Sequence, residues 1–180
     1  MESEMGESKT VMDYGRIATS LDRMAAQIRE CNPGNPDLVF VGIRARGDYL
    51  ATRLADRVSK AEGRDIPLGA LDIGLYRDDA DKVIPEVRAS EIPGSLEAKV
   101  VVLVDDVLFT GRTIRAALDA LMNYGRPQKI ELAVLVDRGH RELPIQPNYV
   151  GLTVETSVVD KVEVNMSEDG KKDSVIIRKK

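Results

Sequence analysis

The stretch from residue 100 to residue 113, VVVLVDDVLFTGRT, constrains the fold more than any other part of the chain. Five apolar residues lead directly into Asp105 and Asp106, and a Thr-Gly-Arg-Thr turn begins four residues later. The apolar run is typical of a buried strand, and the turn predicts the start of a helix. Paired carboxylates can accept hydrogen bonds from sugar hydroxyls, and a helix start can present backbone N–H groups to a phosphate. A phosphorylated ribose fits both requirements together.

Two simpler interpretations of the aspartate pair are open when it is taken alone. In one, the carboxylates cap the following helix; in the other, they bind Mg²⁺ as in the receiver proteins of phosphorelays. Thr110, Gly111 and Thr113 favour the phosphate interpretation, because the backbone has to wrap closely around the anion. The sequence contains no GxxxxGK[ST] pattern, which excludes a Walker-type nucleotide loop.

Helical and strand-like patterns alternate along the rest of the chain. Asp13 is a candidate N-cap for a first helix, and apolar residues at helical spacing predict two more helices, at 50–58 and 114–121. Apolar runs predict buried strands, and weaker β patterns follow near the end of the chain; these segments are 38–43, 67–76, 100–104, 130–136, 161–166 and 174–178. The alternation predicts an α/β fold with a parallel sheet, whose ligands bind beyond the carboxyl ends of the strands.

Bulk properties limit the functional classes. The 180 residues are enough for one domain, expected over residues 13–180 after a frayed tail at 1–12. Residues 77–97 are rich in charge, Pro and Gly and predict a long loop. The net charge of −4 gives no overall attraction to nucleic acid or membranes. No apolar run reaches membrane-spanning length and the N-terminus is unlike a secretory signal, so we expect a cytoplasmic protein without a membrane partner.

Four separate segments together resemble one known family. They are GIRARG at 42–47, LYRDD at 75–79, VVVLVDDVLFTGRT at 100–113 and VDRGHRELP at 136–144. They occur in this order in the PyrR family, the pyrimidine operon attenuation regulators that are also uracil phosphoribosyltransferases. The resemblance covers roughly residues 17–166. It implies the type I phosphoribosyltransferase fold, a central parallel sheet flanked by helices with a small hood and a long flexible loop.

The resemblance also implies roles for individual residues. Ala45 and Arg46 would lie in the diphosphate-binding loop, where the family often has Thr-Arg. Asp105 and Asp106 would hold the ribose hydroxyls. The 5′-phosphate would be bound by the segment that follows, comprising Val107, Leu108, Phe109, Thr110, Gly111, Arg112 and Thr113.

Nucleobase recognition and loop closure are implied in the same way. The pyrimidine would be contacted by Val136, Asp137, Arg138 and Val162. Arg77 and Arg88 would flank the long loop that closes over the reacting centre, and Arg77 would act in catalysis with Asp105 and Asp106. For Arg88 a solvated surface charge is an equal alternative. His140, the sole histidine, is expected to make a structural or surface hydrogen bond rather than to act in catalysis.

The implied reaction joins uracil to phosphoribosyl diphosphate, giving UMP and diphosphate with Mg²⁺ as cofactor. Substrate and water would supply most of the metal's ligands, with Asp105 and Asp106 contacting it only indirectly. The sequence identifies no general base. Because family members form dimers and higher assemblies, we expect a homo-oligomer.

The alternative function is UMP-responsive binding of pyrimidine leader RNA, with the transferase activity secondary. The family's RNA surface combines the first helix with the segment after the DRGHR loop, where Arg23 and Arg141 remain in this chain. Other positions on that surface differ from the basic or polar residues usual in the family; they are Asp22, Ala26, Gln146 and Leu152. Each lost cation removes a phosphate contact, so we favour an enzyme with weak or lost RNA binding.

Overall fold

The computed structural model describes residues 7–74 and 89–180 of the chain. Eight strands and three α-helices make up this part: β1 Ser8–Asp13, α1 Tyr14–Cys31, β2 Leu38–Ile43, α2 Arg46–Glu62, β3 Leu68–Leu71, β4 Val100–Leu108, α3 Arg112–Leu121, β5 Lys129–Asp137, β6 Tyr149–Thr153, β7 Lys161–Asn165 and β8 Ser174–Arg178. Short 3₁₀ turns lie at Met122–Tyr124 and Ser167–Asp169. Within the described residues, no helix has the length and apolar character needed to cross a membrane.

The predicted parallel sheet is confirmed, with five strands in the order β3-β2-β4-β5-β6. The alternate residues of its central strand β4 face opposite sides. Val102 packs into a cluster with α1 and α2, whereas Val101 and Leu103 pack into a second cluster with α3. Since helices cover both faces, the strands are apolar on both sides, which explains the continuous apolar runs in the sequence.

A second, antiparallel sheet of three strands, β1-β8-β7, forms the hood. The two β patterns near the end of the chain are therefore confirmed as β7 and β8. The prediction of a frayed tail over residues 1–12 is wrong for residues 8–12, which belong to β1; residues 1–6 lie outside the described residues. Ser8 pairs with Arg178, at the other end of the chain, so no local pattern could reveal this strand.

Three boundaries differ from the predictions in ways that affect the edge where ligands are expected. Strand β4 runs on to Leu108, so Asp105 and Asp106 lie within the strand rather than after it. Helix α2 starts at Arg46, inside the segment expected to be a loop. Strand β3 ends at Leu71, earlier than predicted. Backbone pairing with β5 extends β4 through Asp105 and Asp106 to Leu108, whereas a prediction from apolar residues ends the strand before the aspartates.

Candidate functional site

The start of α2 lies directly against the carboxyl end of β4. A Cβ atom built on Gly47 would overlap the carbonyl oxygen of Val104, so only glycine permits this approach. As a result Arg46, the first residue of α2, lies beside the aspartate pair, with its Nη1 3.7 Å from Oδ2 of Asp106. The peptide bond between Arg44 and Ala45, which leads into α2, is cis.

The aspartate pair is oriented by the backbone of its own strand. Oδ1 of Asp105 accepts a hydrogen bond from the N–H of Asp106 at 2.9 Å, and Oδ1 of Asp106 accepts one from the N–H of Val107 at 2.8 Å. Asp105 is buried, and 20% of the Asp106 side chain is exposed. Burial raises the pKa of Asp106, although the charge of Arg46 and the Val107 hydrogen bond act in the opposite direction. The folded protein thus holds a carboxylate whose charge is only partly compensated.

A three-residue loop, Phe109 to Gly111, connects β4 to α3. Gly111 is the N-cap of α3 with a φ of +95°, a conformation that favours glycine. Glycine has no side chain with which to cap the helix, and the first N–H groups of a helix have no partner within it. Of these, the N–H of Arg112 donates a long hydrogen bond of 3.4 Å to Oγ1 of Thr110. The start of α3 therefore provides backbone donors and the positive end of a helix dipole next to the two carboxylates.

The loop after β5 is built on the loop after β4. The N–H of Arg138 donates to the carbonyl of Leu108 at 3.1 Å, and the N–H of Glu142 donates to the carbonyl of Thr110 at 2.9 Å. The predicted nucleobase loop and the predicted phosphate loop therefore lie side by side. The residues that make these contacts are 30 and 32 positions apart in the sequence, and the structure brings them together.

Arg138 is buried between these loops. The central carbon of its guanidinium lies 4.0 Å from the ring centroid of Phe109, and its Nη2 donates to the carbonyl of Ser157 at 2.8 Å. Burial lowers the pKa of Arg138, and the charge of Asp160 acts against this. Nearby, the exposed His140 forms a 2.6 Å hydrogen bond with a backbone carbonyl through Nε2, in line with the hydrogen-bonding role expected for it.

Comparisons with known proteins agree with this arrangement. The family described as "Phosphoribosyl transferase domain" matches residues 8–169. The bifunctional protein pyrR of Enterococcus faecalis is 52% identical over 95% of this chain and 97% of that protein. The bifunctional protein PyrR of Pelotomaculum thermopropionicum is 53% identical, covering 95% and 96%. This chain belongs to the PyrR family.

Solved structures agree on the fold alone. A Trypanosoma cruzi hypoxanthine phosphoribosyltransferase superposes with a TM-score of 0.74 at 16% identity, covering 99% of this chain and 94% of that chain. A hypoxanthine-guanine phosphoribosyltransferase of Bacillus anthracis gives 0.71 at 17% identity, covering 96% and 98%. The PyrR-family chain therefore has the predicted type I phosphoribosyltransferase fold.

Arg141, which was predicted to contact RNA, holds the two loops of the site together. Its guanidinium donates to the carbonyls of Ile145 at 2.9 Å and Phe109 at 3.0 Å, and to the carboxylate of Asp137 at 2.7 Å. A planar group with several donors suits this task, because it can satisfy acceptors from separate segments at once. The sequence offered no signal for this role, since the acceptors are mostly backbone carbonyls.

Arg23, the second predicted RNA contact, is also engaged within the protein. Its Nη1 donates to the carbonyl of Val150 at 3.1 Å and its Nη2 to that of Gly151 at 2.6 Å. These bonds fasten α1 to β6 at the edge of the sheet. A contact between RNA and either Arg23 or Arg141 stays a prediction. RNA could reach only those parts of the two side chains that their internal hydrogen bonds leave exposed.

The hood is tied to α2 by a set of ionic contacts that the sequence did not predict. Oδ2 of Asp169 lies 3.4 Å from Nε of Arg46, and Oδ1 of Asp169 accepts a hydrogen bond from the Tyr49 hydroxyl at 3.1 Å. Arg53 donates to Asp173 at 2.6 Å, and this hydrogen bond lowers the pKa of Asp173 despite its burial. Arg46 consequently lies between a carboxylate of β4 and a carboxylate of the hood. The partners of each contact between α2 and the hood are more than 100 residues apart in the sequence, so they leave no periodic signal.

The remaining predicted residues are placed as follows. Val136 is buried in the core beneath the nucleobase loop, and Val162, in β7 of the hood, is partly exposed and packs against the α1–α2 cluster. Arg77 and Arg88 lie outside the described residues. After residue 88 the chain returns along β3, where Glu91 pairs with Ala70.

Proposed function

We propose that this chain transfers a phosphoribosyl group from phosphoribosyl diphosphate to uracil, giving UMP and diphosphate. The observation that carries the proposal is the carboxyl edge of the sheet, where two oriented carboxylates, the start of α3 and the guanidinium of Arg46 come together. A sugar with vicinal hydroxyls, a 5′-phosphate and a diphosphate presents matching groups. Membership of the PyrR family supports uracil as the acceptor.

Each part of the donor has a counterpart at this edge. Asp105 and Asp106 would accept hydrogen bonds from the ribose hydroxyls. The backbone N–H groups from Phe109 to Thr113 would bind the 5′-phosphate at the start of α3. Arg46, with the backbone at Ala45, would bind the diphosphate.

The chemistry requires charge stabilisation and positioning more than covalent participation. As the glycosidic bond breaks, positive charge grows at the anomeric carbon and negative charge grows on the departing diphosphate. The aspartate pair would stabilise the first charge, and Arg46 would stabilise the second. Holding uracil in line with the anomeric carbon, on a loop bonded to the phosphate loop, would lower the entropic part of the barrier.

Magnesium fits this site as a partner of the substrate rather than of a protein cage. Among the described residues, no group of three or more His, Cys, Asp or Glu side chains could hold a metal ion. Mg²⁺ is commonly bound by one or two carboxylates together with substrate phosphates and water, and Asp105 and Asp106 would supply that pair. When bound, Mg²⁺ would neutralise charge on the diphosphate.

Formation of UMP from uracil and phosphoribosyl diphosphate, followed with and without Mg²⁺, tests the proposal. Orotate, hypoxanthine and adenine serve as competing acceptors. We expect uracil to be the preferred acceptor and chelation of Mg²⁺ to abolish turnover. A matched carboxylate control is Asp119→Asn, on the exposed face of α3, which should leave turnover unchanged. Preference for a purine would contradict the assignment of the base, and absence of any transfer would contradict the proposed activity.

A second candidate function is UMP-responsive binding of pyrimidine leader RNA, which the word "bifunctional" in the relatives' names supports. Arg16, Thr19, Ser20 and Arg23 line a depression on α1 that would accept a phosphate backbone. Asp22, expected to repel RNA, pairs with Arg57 at 2.7 Å, so its charge is partly neutralised. A gel shift with the organism's own leader RNA, at physiological salt with and without UMP, tests this function. Binding that UMP does not strengthen would contradict it.

A further inference from the structure

Phe109 makes one of the side-chain contacts between the phosphate loop and the nucleobase loop, beside the hydrogen bonds of Arg141 and the ion pair of Arg112 with Glu142. It lies in the loop between β4 and α3, yet its ring contacts two side chains of the loop after β5. Arg138 lies over the ring at 4.0 Å, and the His140 ring meets it edge-on with centroids 5.9 Å apart. One aromatic ring from the phosphate loop therefore faces both a buried cation and an imidazole of the other loop.

The guanidinium of Arg138 depends on this ring because its other support is sparse. Its Nη2 donates to Ser157, whereas its Nε is buried and has no hydrogen-bond partner among the described residues. A desolvated guanidinium gains most from an aromatic face, since water does not compete for the cation. Because the buried Nε–H has no acceptor, the aromatic face supplies a large share of the stabilisation of this guanidinium.

Core packing does not explain the ring. Phe109 is half-buried, and it belongs to neither of the two hydrophobic clusters that enclose the sheet. Leu108, the residue before it, is buried and packs into the α3 cluster. An aliphatic side chain at position 109 would therefore leave the described core intact.

The geometry points to Phe109 as a positioning residue that holds Arg138 for the nucleobase and thereby couples binding of the 5′-phosphate to recognition of the base. The inference rests on the proposed function, in which the two loops bind the two ends of one nucleotide. A phosphate bound by the loop between β4 and α3 holds the ring in place, and the ring holds the guanidinium. Ligands with both a phosphate and a base should benefit from Phe109, whereas ligands with a phosphate alone should not.

Calorimetric binding of UMP and of ribose 5-phosphate to the full chain separates these two effects. In Phe109→Leu, which removes the ring and keeps an apolar side chain, we expect UMP affinity to fall about tenfold while ribose 5-phosphate affinity changes by less than about twofold. The KM for uracil should rise more than the KM for phosphoribosyl diphosphate. Phe109→Tyr, which retains the ring, should restore most of the UMP affinity. Tyr14→Leu, an exposed aromatic substitution at the start of α1, is the matched control.

A double-mutant cycle adds a direct measure of the contact. In an Arg138→Met background, Phe109→Leu should cause no further loss of UMP affinity, because the partner of the ring is already gone. Equal weakening of UMP and ribose 5-phosphate by Phe109→Leu would overturn the inference, since the ring would then support only the phosphate loop. Unchanged UMP affinity would also overturn it. Wild-type protein that binds UMP no more tightly than ribose 5-phosphate would instead overturn the proposed function, and the inference with it.

Discussion

Asp106 and Glu131 are acidic side chains at opposite ends of the strands of the parallel sheet. Both are partly or fully removed from water, yet their pKa values shift in opposite directions. Asp106 lies near the carboxyl end of β4, and Glu131 lies near the start of β5. Burial acts to raise both pKa values. At Asp106 burial prevails and the pKa is raised, whereas at Glu131 hydrogen bonds from neighbouring side chains outweigh burial and the pKa is lowered.

The difference lies in the number and kind of donors. Glu131 is 1% exposed and accepts hydrogen bonds from the Tyr149 hydroxyl at 2.7 Å and Asn32 Nδ2 at 2.9 Å, and it pairs with Lys129. Asp106 accepts a backbone hydrogen bond and has Arg46 at 3.7 Å, beyond hydrogen-bond distance. A compensated carboxylate stabilises the fold, whereas an undercompensated one can supply its acceptors to a ligand.

Isosteric removal of each charge should separate the two roles most clearly in turnover. We expect Asp106→Asn to lower kcat/KM for phosphoribosyl diphosphate by roughly 100-fold, because a charged acceptor for the ribose hydroxyl is lost at the reacting centre. Glu131→Gln, at the amino end of β5 and away from the site, should retain turnover within about twofold. Steady-state UMP formation measures both variants. Equal activity of the two variants would remove the distinction between the two ends of the sheet's strands.

Equilibrium unfolding near neutral pH should give the reverse order. We expect Glu131→Gln to lower the free energy of unfolding by about 2 kcal/mol, because hydrogen bonds to a buried charge are replaced by weaker ones. Asp106→Asn should cause no loss, since Asn retains an oxygen acceptor for the Val107 N–H and removes a buried charge. Urea denaturation followed by circular dichroism provides the measurement. A larger loss in Asp106→Asn than in Glu131→Gln would contradict the structural role of Glu131.

The smallest expected effect is a difference in how the stabilities depend on pH. The folded pKa of Glu131 is below its ordinary value of 4.5, so its contribution is present above that value and is lost as the pH falls through the lowered pKa. The folded pKa of Asp106 is above its ordinary value of 3.8, so its contribution is present below that value and is lost as the pH rises through the raised pKa.

Asp106→Asn should therefore raise Tm by roughly 2–4 °C at pH values above the raised pKa of the wild-type carboxyl group, and this gain should vanish in acid. The deficit of Glu131→Gln should also shrink in acid. Thermal unfolding across a pH series, with Asp119→Asn as the exposed control, measures these slopes. A Tm gain in Asp106→Asn that grows toward acid pH would show that the carboxylate is stabilised, contrary to its raised pKa.

The predictable part of the site consists of segments that are continuous in sequence. The apolar run, Asp105, Asp106 and the turn around Gly111 predicted a strand, a carboxylate pair and a helix start, and the structure contains all three. Strand burial and glycine conformation act over a few neighbouring residues, so their signals are local. The carboxyl boundary of β4 was missed because its last residues include the polar Asp105 and Asp106.

The unpredictable part consists of contacts between segments distant in sequence. Arg141 resembled a surface cation in the sequence, and only the folded chain provides the carbonyls of Phe109 and Ile145 that it binds. Strand β1 resembled a tail because its partner β8 lies at the other end of the chain. Backbone acceptors are present at every residue, so the sequence does not indicate which of them a given arginine will meet.

The sequence by itself determined that a carboxylate pair and a helix start follow each other at the end of a buried central strand, because these features are built from consecutive residues. The tertiary structure decided how the site is completed: the start of α2 at Gly47 places Arg46 beside Asp106, and Phe109 meets Arg138 across two loops. The contact between Arg46 and Asp106 depends on the close approach of two backbone segments, and the contact between Phe109 and Arg138 depends on desolvation. Both are properties of packed surfaces, which exist only after the chain has folded.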